Sequence, residues 1–446
     1  MKIFNRRDFI KTTGVAAGGL VLSSSLLQAQ GKKAGDKLNI ALVGIGAEGE
    51  VLLNSLLKLP NLNFVAVCDI WPIRKNYAFR RIFKELKQKA KMYEDYKEVI
   101  ANHAKELDAV IIATPDFWHA PMTVDFLNAG VNVYCEKMMS DTIEGAKSMV
   151  RAARKSGKLL QIGHQRTSNP RYIYARETLL RKNNICGKIL ASNGQWNRAV
   201  TADLTYAAKQ AIPADVLKKF GYTSMEQFRN WRWFKNLGGG PLSDLGAHQI
   251  DIFGWFLGAH PTRVYASANS DYNHKDWPDN VMCLFDFDKT FQNVKAQVFY
   301  QVLTTTSSGG GYYESFMGDM GTLKMSENPA ITKLFRENNA PDWEPLIKNG
   351  VIGTSEAPAE SKVADTRETK ALVSYAFPAK IPGYDADKPI HMYHLENFLG
   401  AVRGENKLNC DSEHAFAAEA AVFKARESAT KGVPLTFAES DFVVEG

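Results

Sequence analysis

Asp244, His248 and Asp251 stand at i, i+4 and i+7, a spacing that lines three polar side chains along one face of a helix. Histidine ionises near neutral pH, so His248 is the natural general base of the group, and Asp244 can orient it or bind a neighbouring hydroxyl. A metal site is a rival reading of one imidazole and two carboxylates, although no further His-rich ligand set accompanies them. A third reading makes Asp244 a helix cap, because Gly238-Gly239-Gly240-Pro241 precedes it. Lys137, which follows an apolar run, adds an ammonium that can hydrogen-bond a hydroxyl and stabilise the alkoxide forming as hydride leaves carbon.

A second constellation lies near the N-terminus. Gly44, Ile45, Gly46 and Gly49 spell Gly-x-Gly-x-x-Gly after one apolar run and before a helical pattern, the setting in which a glycine turn approaches a pyrophosphate. The helix that follows offers unpaired N–H groups to phosphates. Asp69 ends the next apolar run, where a carboxylate accepts hydrogen bonds from ribose hydroxyls and repels a 2'-phosphate. NAD is therefore expected over NADP, with Arg74 as a nearby cation that argues the other way. Thr114, Pro115 and His119 follow one further apolar run, and Glu136 and Lys137 another, at strand ends where open α/β sheets bind ligands. Gln165, Arg166, Arg232 and Trp233 are candidates for substrate contacts, and Trp118, Trp196 and Trp231 for stacking on a pyranose face. His164, His391 and His394 read as structural, and no metal is expected.

These residues need a frame. Leu38–Val43, Phe64–Cys68, Ala109–Ala113, Val131–Tyr134 and Leu159–Ile162 are continuously apolar, as strands buried on both faces of a parallel sheet are, and amphipathic helical stretches separate them. Ile189–Trp196, Arg263–Ser270, Asn280–Phe287, Asn293–Tyr300 and Thr322–Met325 are longer and rich in aromatic and β-branched residues, with one helix over Leu245–Leu257. The expected fold is an α/β Rossmann domain over 37–162 and an α+β domain with an open, mostly antiparallel sheet over 163–388. Residues 389–446 then supply C-terminal helices that pack back on the core. Residues 328–388 read as an irregular excursion. The five cysteines show no metal-like spacing, and Cys68, Cys135 and Cys283 sit in apolar runs as small buried hydrophobes.

Residues 1–30 read as a twin-arginine export signal: Arg6-Arg7, an apolar run from Gly14 to Leu27 and a cut near Ala29. The run is shorter than the roughly twenty residues that span a bilayer, so no stable membrane span is expected after processing. The signal carries +3 of the formal +7, and the remaining Lys and Arg are interspersed with acids, which excludes a nucleic-acid stripe.

Taken together, the glycine fingerprint, Thr114-Pro115 with His119, Glu136-Lys137, Gly239-Gly240 with Asp244 and His248, and Asn397-Phe398-Leu399 with Ala401-Val402-Arg403-Gly404 resemble the Gfo/Idh/MocA family of glucose-fructose oxidoreductase and inositol dehydrogenase. The resemblance implies that Lys137, Asp244 and His248 are the catalytic lysine, aspartate and histidine, and that the second sheet covers the nicotinamide. Glu136-Lys137-Met138 departs from the family's Glu-Lys-Pro, which puts the aim of Lys137 in question. Ser243–His248 lacks the Tyr-Pro-Thr-His of the family's exported glycosidases, which favours a dehydrogenase site. The expectation is an exported, periplasmic, NAD-dependent enzyme that oxidises a secondary hydroxyl of a sugar or glycoside, C3 included, with tightly bound cofactor. A redox-neutral glycosidase and a non-catalytic sugar-binding protein are the alternatives. A homo-oligomer through the second sheet is also expected.

Overall fold

A computed structural model describes residue 33 and residues 35–307, 309, 311–356 and 373–445. The expected export signal lies outside them. The first sheet is built from β1 (Leu38–Val43), β2 (Leu62–Cys68), β3 (Lys91–Tyr93), β4 (Ala109–Ile112), β5 (Asn132–Cys135) and β6 (Leu160–Ile162). All pair in parallel, in the order β3-β2-β1-β4-β5-β6. Parallel strands need crossovers, and α1 (Ala47–Leu56), α2 (Pro72–Leu86), α3 (Tyr96–His103), α4 (Asp116–Asn128) and α5 (Ile143–Ser156) supply them. Local chemistry sets their ends: the Asp95 carboxylate accepts from the Lys97 N–H before α3, and Thr142 and the left-handed Gly157 bracket α5. Strand order reverses between β1 and β4, and the crevice of a doubly wound sheet opens at such a reversal.

The second sheet holds β7 (Ile189–Asn197), β8 (Arg263–Asn269), β9 (Asn280–Phe287), β10 (Ala296–Leu303), β11 (Tyr312–Gly318), β12 (Gly321–Met325), β13 (Lys333–Arg336), β14 (Ser355–Glu356), β15 (Ser374–Tyr375) and β16 (Leu435–Thr436). Its order is β14-β15-β13-β12-β11-β7-β10-β9-β8-β16, antiparallel except for the parallel pair β7 and β10. Along β9, Val281, Cys283, Phe285 and Phe287 point into the core while Met282 and Leu284 face out, the period-two pattern of a sheet covered on one side. The covering helices are α6 (Ala247–Leu257) and α8 (Ser412–Lys431). α8 also reaches the first sheet through Phe416, and α7 (Ile390–Val402) packs there with Leu395, Phe398 and Leu399. All five cysteines are buried and free.

Three expectations about the elements change. The strand expected from Asn293 begins at Ala296, because the Thr290–Val294 turn, with Asn293 at φ 58°, occupies its start. β11 breaks the apolar rule by burying Glu314 completely, so its sequence does not read as a core strand. The 328–388 excursion contributes β13, β14 and β15 to the sheet edge. An aromatic excursion that the strand pattern leaves unread also appears: Ile212, Leu217, Phe220, Tyr222, Met225 and Leu237 cluster on Trp71 of the first domain. Trp71 Nε1 donates to the Gln210 carbonyl at 2.6 Å and Trp118 Nε1 to that of Phe220 at 3.2 Å, which fastens the excursion as a roof.

Candidate active site

The roof encloses a cavity of about 470 Å³ at the carboxyl ends of β1, β2, β4 and β5. Its floor is the glycine turn. Gly44 has φ 84°, and a Cβ there would lie 2.5 Å from the Ala113 carbonyl oxygen. A Cβ at Gly49 would sit 2.0 Å from the Gly44 oxygen, so helix and strand pack closer than any side chain permits. At Gly46 the same test meets nothing, leaving the bare backbone facing the cavity. Asp69 also lines it, its carboxylate accepting the Ile45 N–H at 2.6 Å and the Trp71 N–H at 2.7 Å, while each oxygen keeps a second lone pair. Burial raises the Asp69 pKa against these two N–H groups. Arg74 lines the same end but pairs with Glu50 at 2.8 Å, which engages a cation that favoured a 2'-phosphate. A bare glycine turn, an open helix N-terminus and a ribose-facing acid together fit an adenine dinucleotide without that phosphate.

At the far end Lys137 comes off β5 with its side chain 11% exposed. Its ammonium donates to the backbone carbonyl of Asp244 and lies 3.5 Å from the Asp244 carboxylate. The Lys137–Met138 peptide is cis, and Lys137 lines the cavity without the family's proline. Arg232 Nε donates to the same carboxylate at 2.9 Å. Burial alone would raise the Asp244 pKa, yet Arg232 and Lys137 hold it well below the carboxylate range. Asp244 is thus the counter-ion of two cations, and its side chain makes no helix-cap bond. Residues Leu242–Gly246 form a π-helical turn before α6. His248 lines the cavity, 9% exposed, with its ring 5.9 Å from Trp196 and its Nδ1 without a hydrogen-bond partner. Burial first, then Lys137 and Arg166, keep it well below the usual histidine range, so the imidazole is neutral.

Thr114, Pro115, Glu136, Gln165 and Arg232 also line the cavity. Other expected residues fall elsewhere. Ile45 and Gly49 lie behind the turn as packing. His119 is buried off the wall, its ring nitrogens each 2.6 Å from a carbonyl, those of Met138 and Thr114, and it braces the two strand-end turns against each other. Burial lowers its pKa to about 4, so a neutral ring donates to one carbonyl at a time. Arg166 is withdrawn from substrate contact: it is 1% exposed, paired with Glu314 and, at 3.1 Å, with Glu327, under the rings of Trp196 and Tyr312. Trp231 reaches the wall whereas Trp233 does not. Asp251 faces away from the cavity toward His414, at 2.7 Å, so the expected three-residue face is divided.

Asp116, Glu48 and His391 line the cavity although sequence reasoning gave them no part in the site. Asp116 opens α4 beside Thr114-Pro115, and burial pushes its carboxyl up to about 7. Its place next to a strand end was a usable signal. Glu48, inside the glycine fingerprint, lies 3.3 Å from His391 of α7, and both line the cavity. Beside Glu48, burial raises the Glu136 carboxyl to about 8, with the Tyr134 hydroxyl donating to it at 2.9 Å.

A glycine turn, a ribose acid and a Lys–Asp–His constellation in one crevice define a nicotinamide oxidoreductase. Residues 38–164 match the family model "Oxidoreductase family, NAD-binding Rossmann fold", and residues 214–324 match "GFO/IDH/MocA C-terminal domain". Together they cover more than half of the chain, which belongs to the GFO/IDH/MocA family. A glycosyl hydrolase family 109 protein of Stenotrophomonas maltophilia is 37% identical over 149 residues, 32% of each chain. The chain thus spans about a third of that relative's length. Rhizopine catabolism protein MocA of Rhizobium meliloti is 28% identical over 255 residues, 56% of this chain and 68% of that protein. The WlbA dehydrogenase of Bordetella pertussis, solved with NADH and UDP-GlcNAcA, shares the fold at TM-score 0.61 and 17% identity, covering 90% of this chain and 99% of that one.

Proposed function

We propose that the protein oxidises a secondary hydroxyl of a sugar or glycoside, C3 included, with tightly held NAD and after export to the periplasm. The observation that carries this reading is the convergence of the Lys137 ammonium and a neutral His248 on the cavity that the glycine turn and Asp69 also line. Bound NAD supplies a hydride acceptor. His248 accepts the hydroxyl proton, and Lys137 hydrogen-bonds the same oxygen as charge develops on it. Asp244 keeps Lys137 aimed, since it takes both Lys137 and Arg232 as partners. Gln165, Arg232, Trp118 and Trp231 remain the substrate-contact candidates on the wall, which Trp196 does not reach. The aromatic roof, fastened through Trp71 and Trp118, supports retention of the cofactor, and the Arg6-Arg7 segment supports export.

The near-ultraviolet spectrum of purified protein without added cofactor tests the reading. A nicotinamide signal that becomes reduced on mixing with a glycoside is expected. Lys137→Met should lower the rate of reduction by about 100-fold while NAD stays bound. Unchanged reduction in that variant removes the lysine role.

The likeness to glycosyl hydrolase family 109 proteins favours a second reading, a redox-neutral glycosidase in which oxidation at C3 acidifies the C2 proton and elimination breaks the glycosidic bond. Asp116, near neutrality in the same wall, is an acid–base group that simple oxidation leaves unused. Deuterium at C2 of a sugar released in D2O identifies this course.

A further inference from the structure

Behind His248 lies a line of buried ionisable groups that oxidation of a hydroxyl does not itself require. The His164 ring stands next to His248, centroids 6.4 Å apart at 77°, and is 1% exposed. Its Nε2 is 3.1 Å from Glu419 Oε1, and its Nδ1 is 3.8 Å from Asp251 Oδ2. The other Asp251 oxygen is 2.7 Å from His414 Nε2, and His414, in the first turn of α8, has a side chain 30% exposed. The line therefore runs from the cavity wall to the surface.

Two features distinguish it from a static ion network. Nδ1 of His248, Nδ1 of His164 and Oδ2 of Asp251 are all buried without a hydrogen-bond partner. Buried polar groups in proteins are otherwise satisfied, and orphans that stand in sequence mark places where hydrogen bonds form in turn or through a bridging water. A fully buried acid is also costly unless its partner repays it, and the repayment for Asp251 comes from a residue that reaches solvent. Against burial, the Asp251 carboxylate raises His414 above the usual histidine range, and His414 lowers Asp251. The charged groups facing this line are Asp411 and Arg176 at His414, Arg166 at Asp251 and His248, Glu419 at His164, and Lys137 and His391 at His248.

We infer that His164, Asp251 and His414 form a proton relay connecting His248 to solvent, so that a proton taken from a substrate hydroxyl leaves away from the closed sugar cavity. The imidazole of His248 gains the proton on one nitrogen and gives one up from the other. That proton passes through a bridging water to Nδ1 of His164 and from Nδ1 to Oδ2 of Asp251, 3.8 Å away, because Nε2 of His164 is held by Glu419; His414 releases a proton to solvent and takes the Asp251 proton in its place. The inference rests on the reading of His248 as base.

The test is the exchange of histidine ring N–H protons with solvent, followed by NMR in protein labelled at histidine nitrogen. His414→Ala should slow exchange at His248 and His164 by about tenfold or more, and added imidazole should restore it. His414→Gln, which keeps a hydrogen bond to Asp251, should slow it equally. Exchange at the wild-type rate in both variants overturns the relay, as does slowing that imidazole leaves unrestored. His248→Asn separates the two readings. If it still reduces bound nicotinamide with sugar, His248 is not the base, whereas the relay stands or falls on the exchange measurements alone.

Discussion

The three side chains Lys137, Asp244 and His248 divide their labour by charge. Asp244 holds two cations, while burial first and then the nearby Lys137 and Arg166 keep His248 neutral. His248→Asn removes the proposed proton acceptor and keeps the polarity, so oxidation should fall by about 100-fold or more with NAD affinity unchanged, as single-turnover kinetics would show. Glu136 makes a pH prediction. Its carboxyl titrates at about 8 in the folded protein, for burial and the neighbouring Glu48 disfavour its charge. The unfolded chain loses that proton near 4.3, so between about 4.3 and about 8 the folded state binds the extra proton and stability falls as pH rises. Melting temperatures of cofactor-free Glu136→Gln should decline less over this window than those of wild type. Equal declines would mean that Glu136 titrates normally. Asp244, Lys137 and His248 were all legible from type and spacing. The raised Glu136 was not, since its neighbour Glu48 comes from another strand end.

Among the elements, the π-helical turn at Leu242–Gly246 and the aromatic roof do what an ideal helix and a plain Rossmann crevice would not. Asp244, within that turn, lies 3.5 Å from the Lys137 ammonium, whereas Asp251, farther along α6, faces α8 instead. The roof closes the dinucleotide end with Trp71 at its centre, flanked by Phe228 at 5.8 Å and the Arg229 guanidinium at 4.8 Å. Trp71→Ala deletes that anchor and the bond to Gln210, so NAD should dissociate faster by about tenfold, since losses of this kind fall mainly on the off-rate. Displacement of bound NAD measured by stopped flow decides it, and an unchanged off-rate would assign retention elsewhere. Runs of apolar residues identified five of the six parallel strands and missed the edge strand β3, whose Lys91 and Met92 are exposed. They could not identify the roof, whose short helices, Ala214–Lys219 and Met225–Arg229, bury only one residue each by themselves and gain their core from Trp71 and Phe117.

On the scale of the whole molecule, the outer face of the second sheet carries Tyr265, Leu284 and Phe299 side by side across β8, β9 and β10, each more than 40% exposed. A contiguous apolar row on an open sheet face favours the homo-oligomer expected from the sequence, a second copy being a partner with a matching row. Phe299→Asp should lower the mass measured by sedimentation while NAD stays bound. A monomeric wild type would dismiss the association. Among the described residues no helix is long and apolar enough to cross a membrane. What the sequence determined by itself is local. The glycine turn follows from backbone sterics, the strands from unbroken apolarity, and the placing of Lys137 and Thr114 at strand ends from both. Only the tertiary structure decided which charged residues are ligand-facing and which are braces, because burial and pairing are made by distant segments. Arg166 meets Glu314 148 residues away and leaves the site, and His391 arrives from α7 to enter it. A side chain's chemistry is written at its own position, but its dielectric surroundings and its counter-ion come from elsewhere in the chain, and those two quantities set its role.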